Sequence, residues 1–350
     1  MLVAGMGVFA ALVLVAFALV QWRAARPTTT TPWLHVDGKW IVDPNGNHVV
    51  LRGAAIIDVA LADATRSGGA AGLIDRMTNQ ADGWYPHVIR LVVMPNAEAS
   101  WPTRGWTADP ETYFTKHLDP AVQHCVAKGI YCIIDWHYVA DYDTPEIDRT
   151  TRAFWSYVAP KYKDIPNVLY ELYNEPIYPD DWDTWRATAQ PWVDLIRAQA
   201  PKNLILVGAP SWSQHTAGAL TNPFSGGNIV YVAHIYAEHP RAEWDSWFGN
   251  TANTLPVMLT EWGWQAGGAV PTNGNRTSFG VPFQAYVEAR PNVGWCVWIA
   301  DNQWIPVMFD ATWKVLGGEE YEGQFAKDWL AAKRSSDLPR GRLWPWPFSR

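Results

Sequence analysis

The stretch Val168-Leu-Tyr-Glu-Leu-Tyr-Asn174-Glu175-Pro176 is a mostly apolar run that stops at a polar Asn-Glu pair and a proline. Its length and its Val and Tyr content suit a buried strand, and proline ends such a run. Pro256-Val-Met-Leu-Thr-Glu261-Trp-Gly-Trp264 repeats the pattern, with Glu261 at the end of the apolar part. Working outward, apolar runs lie at 49–57, 87–94, 130–136, 168–173, 203–209, 229–235, 256–260 and 293–299. Between most of them are helix-length segments with 3.6-residue spacing: Asp109–Lys128, Thr150–Lys163, Asp181–Ala200 and Ser278–Arg290. The 203–230 connection is rich in Ser, Thr, Gly and Pro, which predicts a short helix there at most. The amphipathic stretch Glu319–Lys333 is placed to close a ring. Eight strands alternating with helices predict an α/β (β/α)8 barrel of the TIM type. An open doubly wound sheet is the alternative, but no GxGxxG or P-loop supports its nucleotide-binding forms. Before the barrel, Leu34–Asp43 alternates around Asp37-Gly38, a hairpin signal, and Asn45-Gly46 marks a second turn.

Composition narrows the classes. The chain has 350 residues, 48% hydrophobic and 17% charged, which suits a globular protein with a sizeable core. A formal charge of −7 with no basic cluster argues against a nucleic-acid partner. Three cysteines, Cys125, Cys132 and Cys296, form no CxxC and no disulfide framework. No His/Cys/Asp spacing points to a metal or cofactor, and no GxSxG points to a serine hydrolase. The 23 tryptophans stand out. Most suit core packing, and some suit flat platforms for sugar rings.

The ends of the chain read differently from its middle. Residues 1–20 are uncharged and nearly all apolar, long enough to span a bilayer. Residues 1–22 are expected to be a transmembrane anchor, or a signal segment cut near Ala16-Phe-Ala18. Residues 23–33 form a Pro/Thr linker, 34–335 the catalytic barrel and 336–350 a C-terminal tail. Arg23 and Arg26 follow the span, so the positive-inside rule alone puts the barrel in the cytoplasm. The chemistry below favours an extracytoplasmic place, tethered or secreted. A monomer is expected.

A barrel's active site lies at the C-terminal ends of its strands. Here those ends carry Arg90, Asp135-Trp136-His137, Asn174-Glu175, Trp212, His234-Ile-Tyr236, Glu261 and Trp298. Two carboxylates at strand ends are what glycosidic cleavage needs, one to donate a proton and one to attack or to activate water. A lone strand-end carboxylate is often a helix cap or an ion-pair partner; two matching sites argue against that here. Glu171 lies below its strand end and reads as a buried ion-pair partner of a barrel arginine, and Asp135 as a support for the site. Glu238, His239, Asp141 and Asp143 read as loop charges.

Taken together, these positions resemble glycoside hydrolase family 5 over roughly residues 34–333, nearest to its bacterial endoglucanases. The matching motifs are Ile133-Ile-Asp-Trp-His137, Tyr170-Glu-Leu-Tyr-Asn-Glu-Pro176, Trp212-Ser-Gln214 and His234-Ile-Tyr-Ala237. The resemblance implies a cofactor-free retaining hydrolase of β-linked polysaccharides, with Glu175 as acid/base and Glu261 as nucleophile. It places Arg90, His137, Asn174, His234 and Tyr236 around them, and Trp298 and Trp212 as sugar platforms. Trp136 and Trp304 are further candidate sugar contacts. Glu175 needs a raised pKa to donate its proton, and Glu261 needs a lowered one to stay ionised. The carboxyl groups are expected about 5–5.5 Å apart for retention. Two departures from the endoglucanase pattern stand out. Leu51-Arg-Gly53 is followed by Ala-Ala-Ile-Ile-Asp58 without the expected His, and Gln303 stands where a Lys is expected. Both expected residues serve sugar binding, so the glucan preference stays open: β-1,4-glucan first, with mannan, xyloglucan, mixed-linkage glucan or exo action as alternatives. An inactive sugar-binding barrel is the reading from another class.

Overall fold

In the computed structural model the described residues are 31–340. The expected segment 1–22, most of the 23–33 linker and the tail from 341 lie outside them. Among the described residues no helix is long and apolar enough to cross a membrane.

The chain first forms a small antiparallel sheet of β1 (His35–Asp37), β2 (Trp40–Val42) and β3 (His48–Val49). Its first turn holds Gly38 at φ 56°, a left-handed value that glycine adopts without steric cost. Eight parallel strands then close a barrel. They are β4 (Arg52–Ile56), β5 (Val88–Val93), β6 (Tyr131–Trp136), β8 (Val168–Glu171), β10 (Ile205–Val207), β11 (Ile229–Tyr236), β12 (Val257–Gly263) and β13 (Gly294–Val297). Between them, β7 (Val139–Ala140) and β9 (Glu175–Pro176) pair above the barrel mouth.

The expected run 49–57 is two elements. Val49 pairs with Ile41 in the small sheet, and the barrel strand starts only at Arg52. The first outer layer is two helices, Val59–Thr65 and Gly69–Met77. The expected 109–128 helix is interrupted by a π turn at Phe114–Leu118. The Ser- and Gly-rich connection after β10 holds only short turns, Pro210–Ser213 and Thr216–Leu220, as its composition predicted. The longer helices start on ordinary caps. Thr144 accepts from the Ile147 amide and Asp181 from the Thr184 amide, opening Pro145–Tyr162 and Trp182–Gln199.

Two cores result. Inside the barrel lie Val88, Ile133, Leu169, Leu206, Val230, Val232 and Met258, while a larger core fills the space between strands and helices. Ten tryptophans are among the largest fully buried side chains, so the aromatic surplus is mainly core. Some also fasten helix to strand: Trp155 Nε1 donates to Leu172 O at 3.0 Å and Trp185 Nε1 to Gly208 O at 2.8 Å.

Candidate active site

Strand side chains alternate between barrel interior and outer layer. Inside the barrel, on five strands an apolar position is followed two residues later by a polar one. Val88 leads to Arg90, Ile133 to Asp135, Leu169 to Glu171, Val232 to His234 and Met258 to Thr260. The hydrophobic floor thus gives way to a layer of buried charge at the C-terminal mouth.

Arg90 is the hub of that layer and is fully buried. Its guanidinium donates to Glu171 through Nε at 2.6 Å and Nη2 at 3.1 Å, to Glu261 through Nη1 at 2.7 Å, and to Asn174 Oδ1 through Nη2 at 2.6 Å. Asp135 Oδ2 lies 3.1 Å from Nη2. Only a planar fork of donors reaches this many acceptors at once. Burial disfavours the Arg90 charge, but Asp135, Glu171 and Glu261 more than offset it and raise its pKa further. Burial also opposes ionisation of Glu171, yet Arg90 and His234 hold it down to about 2.

Glu175 and Glu261 face each other across this layer in opposite electrical settings. Burial, and then the Glu261 charge, push Glu175 up, with His234 pulling the other way. For Glu261 burial is outweighed by His234, Arg90 and His137, and the Tyr236 hydroxyl donates to Oε2 at 2.5 Å. Its pKa is therefore lowered. The Glu175 side chain is 14% exposed and the Glu261 side chain 5%, so both reach the cleft. Oxygens of Glu175 and Glu261 and a ring nitrogen of His234 lie within 4.8 Å of one another. That spacing alone would suit a cation, but the positive charge is already supplied by Arg90 at 2.7 Å and by His234. Burial opposes the His234 charge, but Glu261, Glu171 and Glu175 raise its pKa to about 10. Its Nδ1 lies 2.8 Å from Glu175 Oε1 and 3.6 Å from Glu261 Oε2.

His137 Nδ1 meets Asp135 Oδ2 at 2.6 Å, and its ring lies parallel to that of Trp298 at 5.4 Å. The cleft, about 580 Å³, is lined by His137, Asn174, Glu175, Tyr236, Glu261 and Trp298, together with Trp212, Gln214, His239, Ala269–Thr272 and Ile305. Trp212 is presented by an unusual turn in which Ser211, Trp212 and Ser213 all have φ between 56° and 59°. Three non-glycine residues in that region cost roughly 1–2 kcal/mol each. The turn is tied back by Ser213 Oγ donating to Asn174 O at 2.6 Å. Gly208 permits this approach, since a Cβ there would sit 2.4 Å from Ser213 Oγ.

The family model described as Cellulase (glycosyl hydrolase family 5) matches residues 42–303. The chain belongs to glycoside hydrolase family 5. Endoglucanase N of Pectobacterium atrosepticum is 28% identical over 282 residues, 79% of this chain and 59% of its own length. Endoglucanase Z of Dickeya dadantii is 30% identical over 246 residues, 70% of this chain and 52% of its own. The chain thus spans little more than half the length of these relatives. A crystal structure of a beta-glucanase from Saccharophagus degradans superposes with a TM-score of 0.74 at 26% identity, covering 87% of this chain and 94% of that one. The same enzyme, in complex with cellotetraose, superposes equally well.

Against this family 5 frame, the expected residues Arg90, His137, Asn174, Glu175, His234, Tyr236, Glu261, Trp212 and Trp298 all converge on one cleft. Glu171 is the ion-pair partner of Arg90, as read from its position. Trp136 is a correction. It points outward from β6, stacks on Phe154 at 4.0 Å, donates to Thr151 Oγ1 and is fully buried. Alternation from Asp135 puts it on the helix side, away from sugar. Trp304 packs 6.0 Å from Trp298 and 5.6 Å from Trp101, one ring further out. Trp101 carried no sequence signal. Buried Asp301 pairs with Arg66 through two contacts of 2.7 Å and accepts the Trp304 amide, fixing this loop where the Lys is missing. His239 is not a free loop charge. Its Nδ1 accepts the Tyr236 amide at 3.1 Å and the ring lines the cleft, with burial lowering its pKa to about 4. Thr260, which links His234 to Glu171, was also missed.

Proposed function

We propose that the protein is a retaining β-glucan hydrolase, acting within β-1,4-linked chains as an endoglucanase, in an extracytoplasmic setting. The observation that carries this reading is the close approach of Glu175 and Glu261 in opposite electrical environments. Retaining enzymes hold their carboxyl groups about 5–5.5 Å apart, and inverting ones about 6.5–9.5 Å to admit a water. One oxygen of each carboxylate lies within 4.8 Å of one of the other, a close approach that supports the first class. Glu175, held up by burial, donates its proton to the glycosidic oxygen. Glu261, ionised and aimed by Arg90 and Tyr236, attacks the anomeric carbon and forms a glycosyl-enzyme. Glu175 then takes a proton from the water that releases the sugar. Asn174, fixed by Arg90 beside Glu175, contacts the sugar 2-hydroxyl in this mechanism. A β-1,4-glucan substrate is supported by the endoglucanases among the relatives and by the cellotetraose complex of the similar structure. The aromatic line Trp298, Trp304 and Trp101 suits the apolar faces of sugar rings.

The test incubates the protein with defined β-glycans and reads product length and first-formed anomer by NMR. Internal cleavage of cello-oligosaccharides with β-anomer products is expected, and Glu261→Gln should remove turnover. Initial α-anomer products, or an active Glu261→Gln variant, would sink the mechanism. Cleavage of mannan but not cellulose would sink the substrate.

A further inference from the structure

Strands β11 and β12 run in parallel register as far as Ala233 opposite Leu259. The next pair is His234 opposite Glu261. Thr260 is the extra residue, a bulge that lets two successive side chains, Thr260 and Glu261, face the interior. The Thr260 hydroxyl then lies 3.0 Å from His234 Nε2 and donates to Glu171 Oε1 at 2.7 Å. A hydroxyl has one proton. Given to Glu171, it leaves Oγ1 able only to accept, so Nε2 must be the donor.

We propose that Thr260 is a positioning residue that acts through His234 on the two cleft carboxylates. It holds the Nε2 proton while Glu175 and Glu261 face Nδ1, and together these contacts favour the imidazolium, whose Nδ1 donates. This role rests on the reading of Glu175 as acid and Glu261 as nucleophile. With Nδ1–H directed at Glu175 Oε1, the acid's own proton resides on Oε2, the oxygen left for the substrate. Without the hydroxyl, Nε2–H has no acceptor in a buried site, and Glu171 Oε1 remains 3.9 Å away. The imidazolium is then less favoured. A neutral His234 then keeps its single proton on Nδ1, and the positive charge that holds Glu261 ionised is withdrawn from the cleft. The charged or titratable groups facing His234 are Glu171 from β8, Glu175 from β9, Glu261 from β12, Tyr236 from its own strand, and His239 and Arg90 nearby. All keep their side chains in a Thr260→Val variant.

The test compares full-length wild type, Thr260→Val and Thr260→Ser. 15N-histidine NMR near neutral pH should show both ring nitrogens of His234 protonated in wild type and the serine variant. The valine variant should lose that signature at lower pH than the other two. On an aryl β-cellobioside, the acid limb of kcat/KM should rise by roughly one pH unit in Thr260→Val, a loss of about tenfold below the limb. Serine should restore the limb. Superimposable profiles and spectra for valine and wild type overturn the proposal, however large a uniform loss of activity is. If Thr260→Val does not fold, the wild-type spectrum decides, because a His234 with no Nε2 proton refutes the relay. If wild type cleaves no β-glucoside, the proposed function fails, and the NMR arm still tests Thr260.

Discussion

Glu171→Gln removes one negative charge from beneath the cleft while nearly preserving side-chain volume. Glu171 is fully buried, accepts two guanidinium bonds from Arg90 and one hydroxyl bond from Thr260, and sits at about 2 rather than near 4.5. Lowering from 4.5 to about 2 corresponds to about 3 kcal/mol of stability at neutral pH. The sign follows from the direction of the shift. A lowered folded-state pKa stabilises the protein above the unfolded value near 4.5, and that contribution is lost as pH falls towards 2. Glutamine also turns one acceptor towards Arg90 or Thr260 as a donor, a cost of about 1–3 kcal/mol that does not vary with pH. Thermal unfolding followed by circular dichroism should place the variant roughly 5–10 °C below wild type at pH 7. The gap should narrow steadily between pH 4.5 and pH 3. Equal melting temperatures at pH 7, or a gap unchanged at pH 3, would refute the view of Glu171 as the counter-charge of Arg90.

Other perturbations separate the roles of neighbouring residues. Tyr236→Phe removes a donor to the Glu261 anion worth about 1.5–3 kcal/mol, so the Glu261 pKa should rise towards its ordinary value. The acid limb of kcat/KM should move up by roughly 1–2 pH units, and an unmoved limb would contradict the contact. Trp212→Ala should raise KM for cello-oligosaccharides by roughly tenfold while leaving the melting temperature near wild type; an unchanged KM would remove the ring from the binding surface. Trp136→Ala should cost about 3–5 kcal/mol of stability and leave KM alone. A KM effect in the folded variant would return that residue to the cleft.

The barrel was legible because its strands are buried on both faces and read as unbroken apolar runs. The strand-end groups were legible because an abrupt change from apolar to polar is a strong local signal. Two misreadings share one cause, the neglect of side-chain alternation. Counting by twos from Ile133 through Asp135 places Trp136 outside the barrel, where it is found. The same count from Met258 puts Thr260 inside and Glu261 outside, yet both face in. A bulge reconciles them, and it depends on pairing with β11, which no local pattern encodes. Val49–Ile57 likewise hides a change of sheet that only the Ile41–Val49 pairing reveals. Trp101 meets Trp304 through a loop contact distant in sequence, which no local pattern encodes, whereas the Tyr236–His239 contact is local.

His234 Nδ1 stands 2.8 Å from one cleft carboxylate and 3.6 Å from the other. In the double displacement proposed above, the negative charge migrates. It leaves Glu261 as the ester forms and appears on Glu175 as the proton departs. Net charge in the pocket is conserved, and the charge moves only a few ångströms past a cation that touches both ends of its path. Little solvent or side-chain rearrangement has to accompany that transfer, because the counterion is already in place for reactant and intermediate alike. On the proposed mechanism, both half-reactions therefore run from one rigid constellation.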